Sequence, residues 1–183
     1  MSLKTDSKVL VGGLAVPGST ANLGGGFDTL GVALQLYLRV RIVDVRDDGG
    51  AKVTVVSSTP AVKGRNAVER AFEAIAQRTG RRTPSVFVEV VSDIPMAAGL
   101  GSSAAATVAG LRIFEQVTGP VQGGALLKVA AALEGHADNA APALHGGMTS
   151  VIDSEDGEPQ VLRWRWPDEL RVIVATPAVG LAT

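Results

Sequence analysis

The sequence predicts an α+β fold, a mixed or mostly antiparallel sheet with helices packed on one side. Three observations carry that expectation. Strand-like and helix-like runs are intermixed along the chain, with hairpin-like joins as well as crossovers. The 183 residues fit one domain, since domains run to roughly 100–200 residues. The composition is 46% hydrophobic and 19% charged with only 4% aromatic, which allows a real core and makes it aliphatic and Ala-rich.

Val9 to Val11 and Leu14 to Val16 read as strand, followed by a Gly-rich turn from Pro17 to Gly26. Leu36, Leu38, Val40, Ile42, Val43 and Val45 give a partly alternating strand that ends at the turn Asp47-Asp48-Gly49-Gly50. Val53 to Val56 is a short strand. Val68, Ala71, Phe72, Ile75 and Ala76 recur at three- and four-residue spacing, the mark of an amphipathic helix. Asn66 is placed to cap its start and Gly80 to close its end. Val86, Val88 and Val90 form another strand. A helical run then leads to Gly119-Pro120, and Ala125 to Leu133 reads as a further helix. After a short Ala-rich segment, Met148 to Ile152, Val161 to Trp164 and Leu170 to Ala175 read as short strands.

Composition also excludes function classes. A formal net charge of −1, from 17 basic and 18 acidic side chains, leaves no electrostatic footprint for nucleic acid or an anionic membrane. With no cysteine there is no disulfide, thiolate metal site or cysteine nucleophile, and a cytoplasmic location is allowed. No apolar run approaches the ~18 residues that span a bilayer.

The 22 glycines are clustered, and the clusters carry the chemistry. Pro95 to Ala105 reads PMAAGLGSSAA, with Gly99 and Gly101 freeing the backbone and Ser102 and Ser103 at a helix start. Unpaired N–H groups and the positive end of the helix dipole make such a start suited to phosphate. The serine hydroxyls can bond a phosphate oxygen or Mg²⁺. The spacing is neither GxxxxGK[ST] nor a full GxGxxG, because position 104 is Ala. On this loop alone, a tight turn with a serine N-cap and no ligand remains an open alternative.

A second segment, Pro17 to Asp28 (PGSTANLGGGFD), is a polar Gly-rich stretch with Asn22 and Asp28 able to reach a small polar substrate. A third, Glu134 to Asn139 (EGHADN), places two carboxylates, a histidine and an amide within six residues. A carboxylate at a helix end could complete a Mg²⁺ shell with a serine hydroxyl, since Mg²⁺ takes oxygen ligands. A surface turn and a solvated helix end are the plain alternatives.

Together the three segments resemble the GHMP family of small-molecule kinases. PMAAGLGSSAA is similar to that family's ATP-phosphate loop. PGSTANLGGGFDTLGVAL (Pro17 to Leu34) and EGHADNAAPALHGG (Glu134 to Gly147) resemble segments of its homoserine kinase branch. The resemblance implies the family's N-terminal domain over residues 1–183, a ribosomal-protein-like fold with a left-handed β-α-β unit. It implies ATP and Mg²⁺ as cofactors and L-homoserine as substrate, giving O-phospho-L-homoserine for threonine biosynthesis.

By the same resemblance Pro95, Met96, Ala97, Ala98, Gly99, Leu100, Gly101, Ser102, Ser103, Ala104 and Ala105 wrap the ATP phosphates, and Asn66 lies near the adenine. Ser102 or Ser103, with Glu134, binds Mg²⁺. Asn22, Asp28, His136, Asp138 and Asn139 line the amino-acid pocket. Asp28 or Asp138 holds the ammonium group or orients the attacking hydroxyl as the catalytic carboxylate. The family is often dimeric, so a homodimer is the assembly implied.

There are departures. Gly18-Ser19-Thr20 stands for the usual Ala-Thr-Ser, and Ala137 for the commoner Pro. Family members are longer, with a second domain carrying a third Gly-rich motif. Ile173 to Thr183 (IVATPAVGLAT) resembles the segment before a substrate-binding arginine, so the expectation is a chain truncated there. The alternatives are another GHMP kinase acting on a different alcohol, or a non-catalytic nucleotide-binding domain.

Overall fold

The computed structural model describes residues 12–62, 64–122, 124–153 and 159–175. The expected strand at Val9 to Val11 and the residues after 175 lie outside these. Two long strands, β1 (Gly13–Asn22) and β2 (Gly26–Arg46), form a hairpin. They are followed by β3 (Val53–Thr59), α1 (Ala67–Thr79), β4 (Ser85–Ser92), α2 (Ser102–Thr118), α3 (Ala125–Glu134), α4 (Ala140–His145), β5 (Met148–Asp153) and β6 (Pro159–Trp164). The sheet runs β3-β4-β2-β5-β6, with β1 on β2. Only β3 and β4 are parallel, and α1 joins them; every other pair is antiparallel.

The expected Gly-rich turn at Pro17 to Gly26 is mostly strand. β1 continues to Asn22, and only Leu23 to Gly25 turn the chain. Pairing with β2 overrides the weak strand propensity of Gly, Ser and Asn. Pro17, which cannot donate to the ladder, sits where the register shifts between Pro17 and Ser19. The expected strand at Leu170 to Ala175 is not formed. Among the described residues no strand pairs with it, and Leu170, Val172, Ile173 and Val174 stay exposed.

The remaining elements follow from local chemistry. The Asn66 side-chain oxygen accepts from the Val68 N–H at 2.9 Å, and Gly80, at φ 62°, closes α1 in the left-handed region. At the turn after β2, Asp48 accepts from the Gly50 N–H (2.9 Å) and from the N–H and hydroxyl of Ser85 (3.1 and 2.8 Å). These bonds, the Gly50 N–H foremost, hold its carboxyl below the ordinary carboxylate value.

Helices and sheet share one aliphatic core, with Val86, Val88 and Val90 of β4 facing in. Phe72 and Phe114 meet edge to face at 5.8 Å where α1 crosses α2. Gly110 allows that crossing, because a Cβ there would stand 2.2 Å from the Val68 carbonyl oxygen.

Two side chains give stability predictions. The Thr149 hydroxyl in β5 is buried with no hydrogen-bond partner among the described residues. Thr149→Val is expected to stabilise the fold by about 1 kcal/mol, since it removes an orphaned polar group and nearly keeps the shape. Urea unfolding checks this. His145, at the end of α4, is pushed below its ordinary value of 6.5 by burial first and then by Arg163 and Arg112. The unfolded chain therefore binds the proton more readily. Stability is full above about pH 6.5 and falls as pH drops through that value towards the folded-state value. Replacing His145 with Asn should flatten the slope of stability against pH in that window.

Candidate active site

The turn before α2 is exposed at Pro95, Met96, Ala97 and Gly99, while Leu100 is anchored in the core. Three of its residues take positive φ, Ala97 at 53°, Gly99 at 68° and Gly101 at 65°. Gly101 occupies the cap position of α2 without a side-chain cap bond, and the first turn holds no acidic residue. Ser102 and Ser103 are thus the first two helical residues rather than caps. The leading N–H groups of this helix are left for a ligand or water.

Glu134 ends α3 just before Gly135, which sits in the left-handed region at φ 88°. A carboxylate at a helix C-terminus meets the negative end of the dipole, an unfavourable place for it. Its compensation comes from α2. The Ser103 hydroxyl donates to Glu134 Oε1 at 3.1 Å, and the Thr107 hydroxyl donates to the same oxygen at 2.6 Å. Ser103, not Ser102, is therefore the serine brought to Glu134. Sequence reasoning missed Thr107. The signal was there, because position 107 is one helical turn beyond Ser103 on the same face.

The segment after α3 folds back on itself. Asp138 is 1% exposed. Its Oδ1 lies 2.5 Å from His136 Nδ1 and accepts from the Asn139 N–H at 2.7 Å. His136 is half exposed, so the imidazole, rather than the carboxylate behind it, meets solvent. An open cleft of about 680 Å³ is lined by His136, Gly135 and Ala137 with Asp28, Thr29 and Lys128. Asp28 and His136 thus share a cavity, whereas Asp138, expected in the pocket wall, is buried beneath it.

Asn22 and Asp28 flank the β1–β2 turn, both at positive φ (71° and 53°). The Asn22 side-chain oxygen accepts from the Asp28 N–H at 3.0 Å, which fixes the turn and the backbone of Asp28 together. Asn66 is not brought to this group by any hydrogen bond; its side-chain oxygen caps α1. Another cleft, of about 670 Å³, lies under Trp166 to Val172 and contains none of the expected site residues.

One residue joins the three segments. Ser19 is fully buried in β1. Its N–H donates to the Leu100 carbonyl at 3.1 Å, and its hydroxyl reaches Asn139 O and Oδ1 at 3.0 and 2.9 Å. Gly31 on β2 adds a second contact, since a Cβ there would lie 2.1 Å from the Asp138 carbonyl oxygen. Segments far apart in sequence converge on one end of the sheet.

The model of the GHMP kinases N terminal domain matches residues 66–147. Over that stretch the chain resembles the GHMP kinase family. Its match to a homoserine kinase of Synechocystis is 36% identical over 182 residues, 93% of this chain and 57% of that protein. A homoserine kinase of Deinococcus radiodurans is 41% identical over 168 residues, 91% of this chain and 54% of that protein. The chain thus spans somewhat over half the length of these GHMP relatives. The crystal structure of homoserine kinase from Cytophaga hutchinsonii has TM-score 0.67 at 28% identity, covering 91% of this chain and 54% of that one. Methanococcus jannaschii mevalonate kinase, at 12% identity and TM-score 0.62, shares the GHMP fold. The expected α+β architecture is therefore the family's.

Proposed function

We propose that residues 1–183 form the N-terminal, nucleotide- and substrate-binding domain of an ATP-dependent homoserine kinase. It would transfer the γ-phosphoryl group to the side-chain hydroxyl of L-homoserine and so serve threonine biosynthesis. The observation that carries this reading is the meeting of Leu100, Ser19 and Asn139, which puts the candidate phosphate loop beside the candidate substrate segment. The homoserine kinases similar to most of this chain support the choice of alcohol.

In this reading the loop Pro95–Gly101 and the uncapped N–H groups of α2 hold the ATP phosphates, with the Ser102 hydroxyl beside them. Asn66 is assigned to the adenine side. Ser103, Thr107 and Glu134 offer oxygen atoms gathered around a single carboxylate. That set fits Mg²⁺, which takes one or two carboxylates together with phosphate oxygens. When bound, Mg²⁺ would neutralise charge on the β- and γ-phosphate oxygens.

Asp28, exposed in the cleft, faces the substrate ammonium group. His136 is held in one orientation by Asp138 and shares the same cleft. Asn22 and Asn139 lie outside the lining of that cleft and are assigned to the amino-acid substrate by the family resemblance. Phosphoryl transfer passes through a loose transition state, so placing the hydroxyl in line and stabilising charge carry most of the rate. A dedicated strong base is not required.

A homodimer and a cytoplasmic location belong to the same reading and rest on the family resemblance. Among the described residues, no helix is long and apolar enough to cross a membrane.

The test is a coupled ADP-release assay on the full protein that carries this chain, offered homoserine, threonine, mevalonate and galactose. Turnover with homoserine above the others is expected. Turnover only with another alcohol would replace homoserine within the family. Nucleotide binding without any turnover would make this a non-catalytic domain.

A further inference from the structure

We propose that Ser19 is a positioning residue for the transfer, fixing the Asn139 amide for the amino-acid substrate and tying it to the nucleotide loop. This rests on the homoserine kinase reading.

Ser19 is fully buried, so its hydroxyl serves other protein groups rather than a ligand. It has one proton to donate and finds two acceptors, the backbone and side-chain oxygens of Asn139 at 3.0 and 2.9 Å. On the other side, the Asn139 amide nitrogen faces Asp138 Oδ1 at 3.4 Å. An amide held at its oxygen by a hydroxyl and at its nitrogen by a carboxylate has one favoured orientation. Of its two N–H groups, one is directed at Asp138. The other is left for an acceptor oxygen, such as the carboxylate or hydroxyl oxygen of an amino-acid alcohol.

The link to the nucleotide is equally direct. The Ser19 N–H holds the Leu100 carbonyl at 3.1 Å. Gly101 packs so closely that a Cβ would stand 2.1 Å from Ser19 Oγ and 3.0 Å from Ser19 N. A shift of the loop at Leu100 and Gly101 on nucleotide binding therefore reaches Asn139 through one buried residue. Coupling between two ligands needs such a shared element, and the hydroxyl and the N–H of Ser19 supply its two halves.

The halves can be separated. Ser19→Ala removes the hydroxyl and keeps the N–H. In the full protein it should raise the KM for homoserine about five- to tenfold, the size of one lost hydrogen bond, and leave the KM for ATP within about twofold. Added to Asn139→Ala it should have little further effect, because Ser19 acts through Asn139. A changed KM for ATP in place of homoserine, or full additivity with Asn139→Ala, overturns the inference and leaves the homoserine reading standing. If Ser19→Ala does not fold, Ser19→Cys, close in shape but a weak donor, should show the same KM pattern.

No turnover of homoserine by the parent protein would instead overturn the homoserine reading. The side-chain amide resonances of Asn139 then test the positioning by themselves. Ser19→Ala should shift and broaden them while Thr20→Ala leaves them in place. Unchanged resonances in Ser19→Ala would refute the role of Ser19.

Discussion

Replacing Glu134 with glutamine in the full protein is expected, on the proposed homoserine kinase reading, to lower ATP-dependent phosphorylation of homoserine by roughly 10²–10³, while the fold becomes slightly more stable. Glutamine keeps a side-chain oxygen for the Ser103 and Thr107 hydroxyls, so the bridge between α2 and α3 survives. The charge is what disappears. Functionally, that removes the only carboxylate in the oxygen cluster. Structurally, it relieves a negative charge at the C-terminus of α3, where no basic residue in the last turn offsets it. A relief of about 0.3–1 kcal/mol is the usual size of a helix-dipole effect. Steady-state kinetics and thermal unfolding of the same sample check both parts. Activity within threefold of the parent would remove Glu134 from the proposed Mg²⁺ site. A fall in stability would mean that the charge serves the fold.

The second large effect is on assembly of the site. Gly101→Ala is expected to destabilise the protein by about 3–5 kcal/mol, whereas Gly99→Ala costs only about 1–2 kcal/mol. Both glycines take positive φ, 65° and 68°, so the backbone penalty is shared. The surroundings differ. A Cβ at Gly99 meets nothing within 4 Å, while one at Gly101 would lie 2.1 Å from Ser19 Oγ and about as close as contact allows to Ser19 backbone atoms. Ser19 is buried in a strand and cannot step aside. Equal losses at the two positions, measured by denaturant unfolding, would show that backbone conformation alone governs the loop.

Much of this was legible before the fold was known. The α1 helix was readable because its caps, Asn66 and Gly80, and its apolar stripe are local signals. The start of α2 was readable for the same reason. The β1 strand was not readable through Asn22, because its composition is that of a turn and its pairing partner lies in β2. Leu170 to Ala175 misled in the opposite way: the apolar pattern is there, but no partner strand is present among the described residues.

At the site, residue types and order were visible, but contacts between segments were not. Ser102 and Ser103 are adjacent in sequence, yet about 100° apart around a helix, and only Ser103 lies toward Glu134. Asp138 looked like a pocket residue by its chemistry. Its burial comes from the packing of α4 against β2 at Gly31, which no local pattern records. Ser19 was visible only as a departure from the family pattern, because its role depends on Asn139, 120 residues away in sequence.

The 21-residue strand β2 pairs with β1 along one edge, and along the other with β4 at its far half and β5 at its near half. No half of the sheet has its own central strand. Amide protons in the middle of β2 should therefore exchange only through global opening, at the slowest rate in the chain. Proteolytic or genetic division between β1 and β5 should leave neither fragment able to fold alone. The candidate phosphate loop hangs from the end of β4 and the candidate substrate segment leads into β5. Protection of one on unfolding is thus protection of the other, and the domain should gain or lose both binding surfaces in a single event.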